Sequence, residues 1–156
     1  MTPEDISVSR SEAAAIARVS NTTLSNWMRG DAGLFLADRR GSGHHVAFNL
    51  SRILSIAVVR ELVAAGVNMT DAISSVNNVP PYRELLHGGG VFEISKGPGD
   101  ERWQLGNLVD RPVTISVRLW PLWSDVTERL LSFGAARDAD AYLDRMAEIR
   151  RAQGWE

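Results

Sequence analysis

Thr22, Ser25, Asn26 and Arg29 are four polar side chains close together in the chain. On a helix they lie opposite Leu24, Trp27 and Met28, which recur at i, i+3 and i+4 and share one face. A helix with a slim polar outer face fits the major groove of a duplex. An Asn amide there can pair bidentately with adenine, and an Arg guanidinium with guanine or a phosphate. The plainer reading of four such residues is a solvated helix face, so the surrounding elements decide between the two.

A second group follows. Arg39, Arg40, His44 and His45 flank Gly41-Ser42-Gly43, at a turn where basic side chains and backbone amides could meet a sugar-phosphate rail. Neighbouring histidines on a strand point to opposite faces, and the chain has no cysteine, so the pair makes a poor metal site. Arg10 and Arg52 sit near expected helix starts and are secondary phosphate candidates.

The elements that must carry these residues are legible from caps and periodicity. Ser9 or Ser11 caps a helix over about 11–18 with Glu12 in its first turn, and Ala13, Ala14, Ile16 and Ala17 give it a small apolar face. Residues 18–21 break it, Ser20 or Asn21 caps the next helix, and Gly30 ends that helix. Residues 34–37 and 45–48 read as two short strands around the Gly-Ser-Gly turn. Asn49 caps a helix over about 50–65, Thr70 a short one to Val76, and Pro81 suits the first turn of another ending at His87.

Gly88-Gly89-Gly90 marks a boundary, after which the apolar period becomes two. Strands are expected at 91–95, 102–105 and 113–119, then a helix from near Pro121 and a charged helix over about 138–152. The expected class is α+β, with an N-terminal DNA-binding domain over 1–87 and a small C-terminal dimerisation region over 88–156. Three short strands and a helix bury little area alone. The apolar face of Val113, Ile115, Val117 and Leu119 therefore needs a cover, and a second copy of the chain is the expected one.

Charge is unevenly placed. The 156 residues carry a net charge of −2, but over 9–60 seven arginines face only Glu12, Asp31 and Asp38, for +4. A local basic face on an acidic chain fits phosphate contacts made by one module only. The absence of cysteine excludes thiolate chemistry and a disulfide framework. The polar opening MTPEDISVSR and the lack of a ~20-residue apolar run make a cytoplasmic, nucleoid-associated protein the expectation, with no membrane partner.

Residues 8–76 resemble the MerR-type winged helix-turn-helix and its smaller excisionase-like relatives. The resemblance rests on Ser11-Glu12-Ala13-Ala14, Val19-Ser20, Thr23-Leu24 with Trp27, Gly33-Leu34, Gly43-His44-His45, Phe48-Asn49, and Leu62 with Ala65-Gly66-Val67. The chain departs from the family pattern at Arg18, where glycine is usual, and at Ser25, where a basic residue often stands. His44 and His45 also replace the usual aromatic and arginine. The family's long coiled coil and cysteine-bearing effector loop have no counterpart.

The resemblance implies a homodimeric DNA-binding transcriptional regulator on an inverted-repeat operator, contacting duplex DNA through Thr22, Ser25, Asn26, Arg29, Arg39, Arg40, His44 and His45. RNA polymerase remains open as a partner. The alternatives are an excisionase-like or phage-borne DNA-architectural or recombination-directionality protein, and a protein-interaction adaptor. No enzymatic activity, catalytic residue, metal or cofactor is expected. The loops at 88–90 and 96–99 lack the Gly-Lys-Ser/Thr ending of a phosphate loop and read as a linker and a hairpin turn.

Overall fold

A computed structural model describes residues 7–36, 46–107, 110–132, 144, 147–152 and 154, and it has the expected α+β character. Two helices open the chain: α1 (Arg10–Ile16) and α2 (Asn21–Trp27). Ser9 caps α1 in a full capping box with Glu12, and Ser20 caps α2 by accepting from the Thr23 N–H, each worth about 1 kcal/mol. Next come α3 (Leu50–Ala64), α4 (Met69–Asn78) and α5 (Pro81–His87). The α3 cap is Asn49, as expected. The α4 cap is Asn68, two residues earlier than the Thr70 read from the sequence.

The short strand β1 (Ser7–Val8) pairs antiparallel with β2 (Phe48–Asn49). This corrects the expected strand over 34–37, because Leu34 and Phe35 form a turn. Phe35 has φ of +61°, which no strand accommodates, and Leu34 and Phe35 are buried as a plug in the core. Phe35 meets Phe48 edge-on at 6.4 Å. Residues 37–45, with Arg39, Arg40, His44 and His45, lie outside the described residues, and so does the turn between them.

The C-terminal part is a three-stranded antiparallel sheet followed by a helix. Its strands β3 (Val91–Lys96), β4 (Gln104–Leu105) and β5 (Val113–Arg118) lie in the order β4-β3-β5. Ile94 stands opposite both Leu105 and Ile115, and Phe92 opposite Val117. Helix α6 (Leu119–Ser132) begins directly from β5, two residues before Pro121. Residues 147–152 are helical too, with Ile149 buried and Arg150 over the Trp120 ring at 5.8 Å.

One apolar cluster runs through both parts, from Ala13, Ile16 and Leu24 through α3 to Phe92, Ile94, Val117, Trp123 and Leu130. The cover expected from a second copy is thus supplied in large part by the N-terminal helices, since α6 packs on α3, α5 and α1. What stays open is the start of β5. Val113 is 51% exposed and Ile115 half-buried, whereas Val117 and Leu119 are buried. No helix of the described residues is long and apolar enough to cross a membrane.

Candidate nucleic-acid interface

Helix α2 rests on its apolar face. Leu24 is fully buried and Trp27 nearly so, which places the indole in the core rather than on the surface. The opposite face carries Thr22, Asn26 and Arg29 exposed, with Ser25 half-buried beside them. Arg29 forms no ion pair among the described residues, so its guanidinium is free to meet an anion. The helix stops earlier than expected, at Trp27 with Met28 as C-cap, so Arg29 lies just past its end and Gly30 follows at φ +80°, a backbone region where a Cβ would be strained.

The connection between α1 and α2 is held by arginines from far along the chain. The α1 C-terminus leaves carbonyls without helical partners. Arg129 of α6 donates to the Ala15 and Ile16 carbonyls at 2.9 and 3.1 Å, and Arg60 of α3 donates to the Ala17 carbonyl at 2.8 Å. Arg18 itself takes φ of +62°, at the position where the resemblance leads one to expect glycine. Its guanidinium reaches Asp125 of α6 with two hydrogen bonds, at 2.7 and 3.2 Å. That bond holds the Asp125 carboxyl below its ordinary range, with partial burial opposing the shift and the Arg18 charge adding to it.

A second clamp fixes the chain as it leaves α2. The Leu34 N–H returns to the Trp27 carbonyl at 2.7 Å. Asn77 of α4 then holds both sides of the plug, accepting from the Phe35 N–H at 3.1 Å and donating to the Gly33 carbonyl at 3.0 Å. The polar face of α2 therefore sits on a support fixed at both ends.

The structure also narrows the basic charge of this region. Of the seven arginines counted over 9–60, Arg18 is engaged with Asp125 and Arg60 with Glu61 and the Ala17 carbonyl. Arg52 donates to the Ala47 carbonyl at 2.7 Å. Arg10 and Arg29 are exposed without a side-chain ion pair among the described residues. Of the expected site residues, those brought together are Thr22, Ser25 and Asn26 on α2 and Arg29 just past its end. Sequence reading missed the supporting set of Arg60, Asn77, Asp125 and Arg129, since each acts over more than forty residues of separation and carries no local spacing signal.

Asp71 was missed as well, its distant partner lying 32 residues along the chain. It is buried in α4, accepts from the Asn68 amide at 2.7 Å and the Trp103 N–H at 3.1 Å, and so ties α4 to the start of β4. Among the described residues no three His, Cys, Asp or Glu side chains gather as a metal site. No family model matches the chain, and no curated protein is similar enough to be aligned with it.

Proposed function

We propose that the protein is a sequence-specific DNA-binding transcriptional regulator, acting as a homodimer on an inverted-repeat operator through a winged helix-turn-helix in which α2 is the recognition helix. The observation that carries this reading is the two-sided character of α2. A buried Leu24 and Trp27 face backs an exposed row of Thr22, Asn26 and Arg29, on a helix anchored at both ends. A solvated face would need no such anchoring, whereas base readout depends on a rigid mount, because phosphate and base contacts reward a fixed register. Asn26 and Arg29 carry the base or phosphate contacts in this reading. Thr22 and Ser25 line the same groove, and Arg39, Arg40, His44 and His45 are assigned to the rail.

The test is selection from random duplexes with the purified protein, followed by affinity measurement at several salt concentrations. The expected product is a motif with two-fold symmetry, its half-sites about 34 Å or a multiple apart. Asn26→Ala combined with Arg29→Ala should abolish preference for that motif while leaving the fold intact. Unchanged affinity of the double variant for the selected site would remove α2 as the recognition element.

A further inference from the structure

The free edge of β5 is the largest unpartnered backbone surface of the sheet, and its polarity can be worked out. The Leu119 N–H donates to the Gly90 carbonyl at 2.8 Å, so the odd-numbered residues of β5 turn their backbone groups toward β3. Thr114 and Ser116 therefore direct their N–H and C=O groups outward, and Arg118 its N–H, with no strand partner on that side among the described residues, while the Arg118 carbonyl also opens α6. Edges of this kind are commonly blunted by lysine, proline or a bulge. Between Val113 and Arg118 the only charge is Arg118.

We infer that two copies of the chain join by antiparallel pairing of β5 with β5, with Ser116 facing Ser116 on the two-fold axis. This names the interface for the homodimer of the proposed function and rests on that reading only for the dimer's role on DNA. The register follows from the outward groups. Centring on Ser116 pairs Thr114 with the second copy's Arg118 and the reverse, so the outward groups of Thr114 and Ser116 and the Arg118 N–H all find partners, the Arg118 carbonyl accepting through its second lone pair. Centring on Thr114 or Arg118 leaves some of them unpaired.

Two further features agree with this register. On the face of the odd-numbered residues, Ile115 of one copy comes opposite Val117 of the other. There it enters a groove of about 310 Å³ lined by Glu61, Ala65, Ile115, Val117, Pro121 and Leu122. The same pairing extends the apolar row across the axis and covers the half-exposed Ile115. On the other face, Glu93 stands beside Ser116 and accepts its hydroxyl at 3.0 Å. The second copy's Arg118 arrives on that face opposite Thr114, so its cation approaches Glu93 diagonally from across the axis. Two such pairs form by symmetry. An extended segment of an unrelated protein would satisfy the edge hydrogen bonds but not this reciprocal charge match.

Five paired residues and a shallow groove are small beside the ~800 Å² per partner of a standard interface, so the dimer is expected to be concentration-dependent. The test is sedimentation of the full chain without DNA, for the natural sequence and for Ser116→Pro. Proline there removes an outward N–H and no internal ladder bond, so the fold tolerates it while the pairing is blocked. The dimer dissociation constant should rise at least about 10-fold, as expected when the hydrogen bonds at the axis are lost. Ser116→Cys, the only thiol in its chain, should cross-link under mild oxidation into a species of twice the 17.1 kDa chain mass, because facing Cα atoms at this pair fall within disulfide range. That arm decides the matter should Ser116→Pro fail to fold. A chain monomeric to about 100 µM, or a dimer that ignores proline and gives no cross-link, overturns the inference. Affinity for a single half-site, measured on the same proteins, tests the DNA reading separately. A β5-paired dimer that binds no DNA would overturn the function and leave the interface standing.

Discussion

Helix α2 and strand β5 are the two exposed elements that partners could read, and they present opposite kinds of chemistry. A helix points its side chains outward around its backbone, so α2 addresses a partner chiefly through side chains, with Asn21, Thr22 and Asn26 exposed along it and Arg29 exposed just past its end. An edge strand keeps half its backbone groups unspent, so β5 addresses a partner through Thr114, Ser116 and Arg118 whatever their side chains are. The first surface can discriminate among sequences. The second gives geometry and register. Under the proposed function the first would read a duplex and the second would join two copies, and both are mounted on one apolar cluster.

The largest expected effect concerns whether α2 and β5 are carried by one folding unit. Trp123 of α6 is fully buried and lies 5.3 Å from the Tyr82 ring of α5. Trp123→Ala should cost about 3–5 kcal/mol. Far-UV circular dichroism and tryptophan fluorescence should still report one coincident urea transition. Two separated transitions would show α2 and β5 to be mounted on independent units.

The next effect belongs to α2 alone. Arg29→Ala should weaken binding to the selected duplex by about 1–3 kcal/mol and leave the melting temperature unchanged. If Arg29 meets a phosphate, affinity falls similarly for all sequences and the salt slope drops by about 1; if it meets guanine, the loss is confined to one motif position. Asn26→Ala should act at a single adenine. Loss of stability in either variant would show these side chains to be part of the support.

What could be foreseen of these two surfaces follows from the range of the forces involved. Caps act within one turn, so the starts of α1, α2 and α3 were legible, with Ser9 the cap over Ser11, Ser20 over Asn21, and Asn49 as expected. Alternation acts within one strand, so β3 and β5 were found nearly to the residue. The Leu-Phe-Leu-Ala run at 34–37 misled, because an apolar run of that length fits a buried turn as well as a strand. Only the +61° φ at Phe35, held by Asn77, separates them. The pairing of β1 with β2 joins segments forty residues apart and has no local signature. The α2 face was visible because it is built from consecutive turns of one helix, whereas its mount is distributed over α3, α4 and α6.

Asn77 tests that distributed mount. Its amide makes two hydrogen bonds to the segment leaving α2, and Asn77→Ala orphans the Phe35 N–H and the Gly33 carbonyl. The expected cost is about 1–2 kcal/mol in chemical denaturation. It should be accompanied by weaker DNA binding although the residue lies off the recognition face. A variant that loses stability but binds normally would show that the clamp holds the fold and not the reader.

The smallest effect concerns the turn between α1 and α2. Arg18 holds a left-handed backbone, which disfavours any residue with a Cβ, and its link to Asp125 is largely exposed, at 53% and 34% for the two side chains. Arg18→Gly and Arg18→Ala both remove that link, but only glycine relieves the backbone. Glycine should therefore melt about 2–4 °C above alanine. The Asp125 carboxyl, held down by Arg18, adds stability that is fully present above its ordinary value of 3.8 and is lost as pH falls from there through the lower folded value. In acid the protonated carboxyl and the Asn amide are nearly equivalent, so Asp125→Asn should remove that acid limb by lowering neutral-pH stability by the same small amount, kept under about 1 kcal/mol by solvent screening of the pair. A large loss at pH 7 would mean that α6 fixes the turn through this pair, rather than through the Arg129 bonds to Ala15 and Ile16.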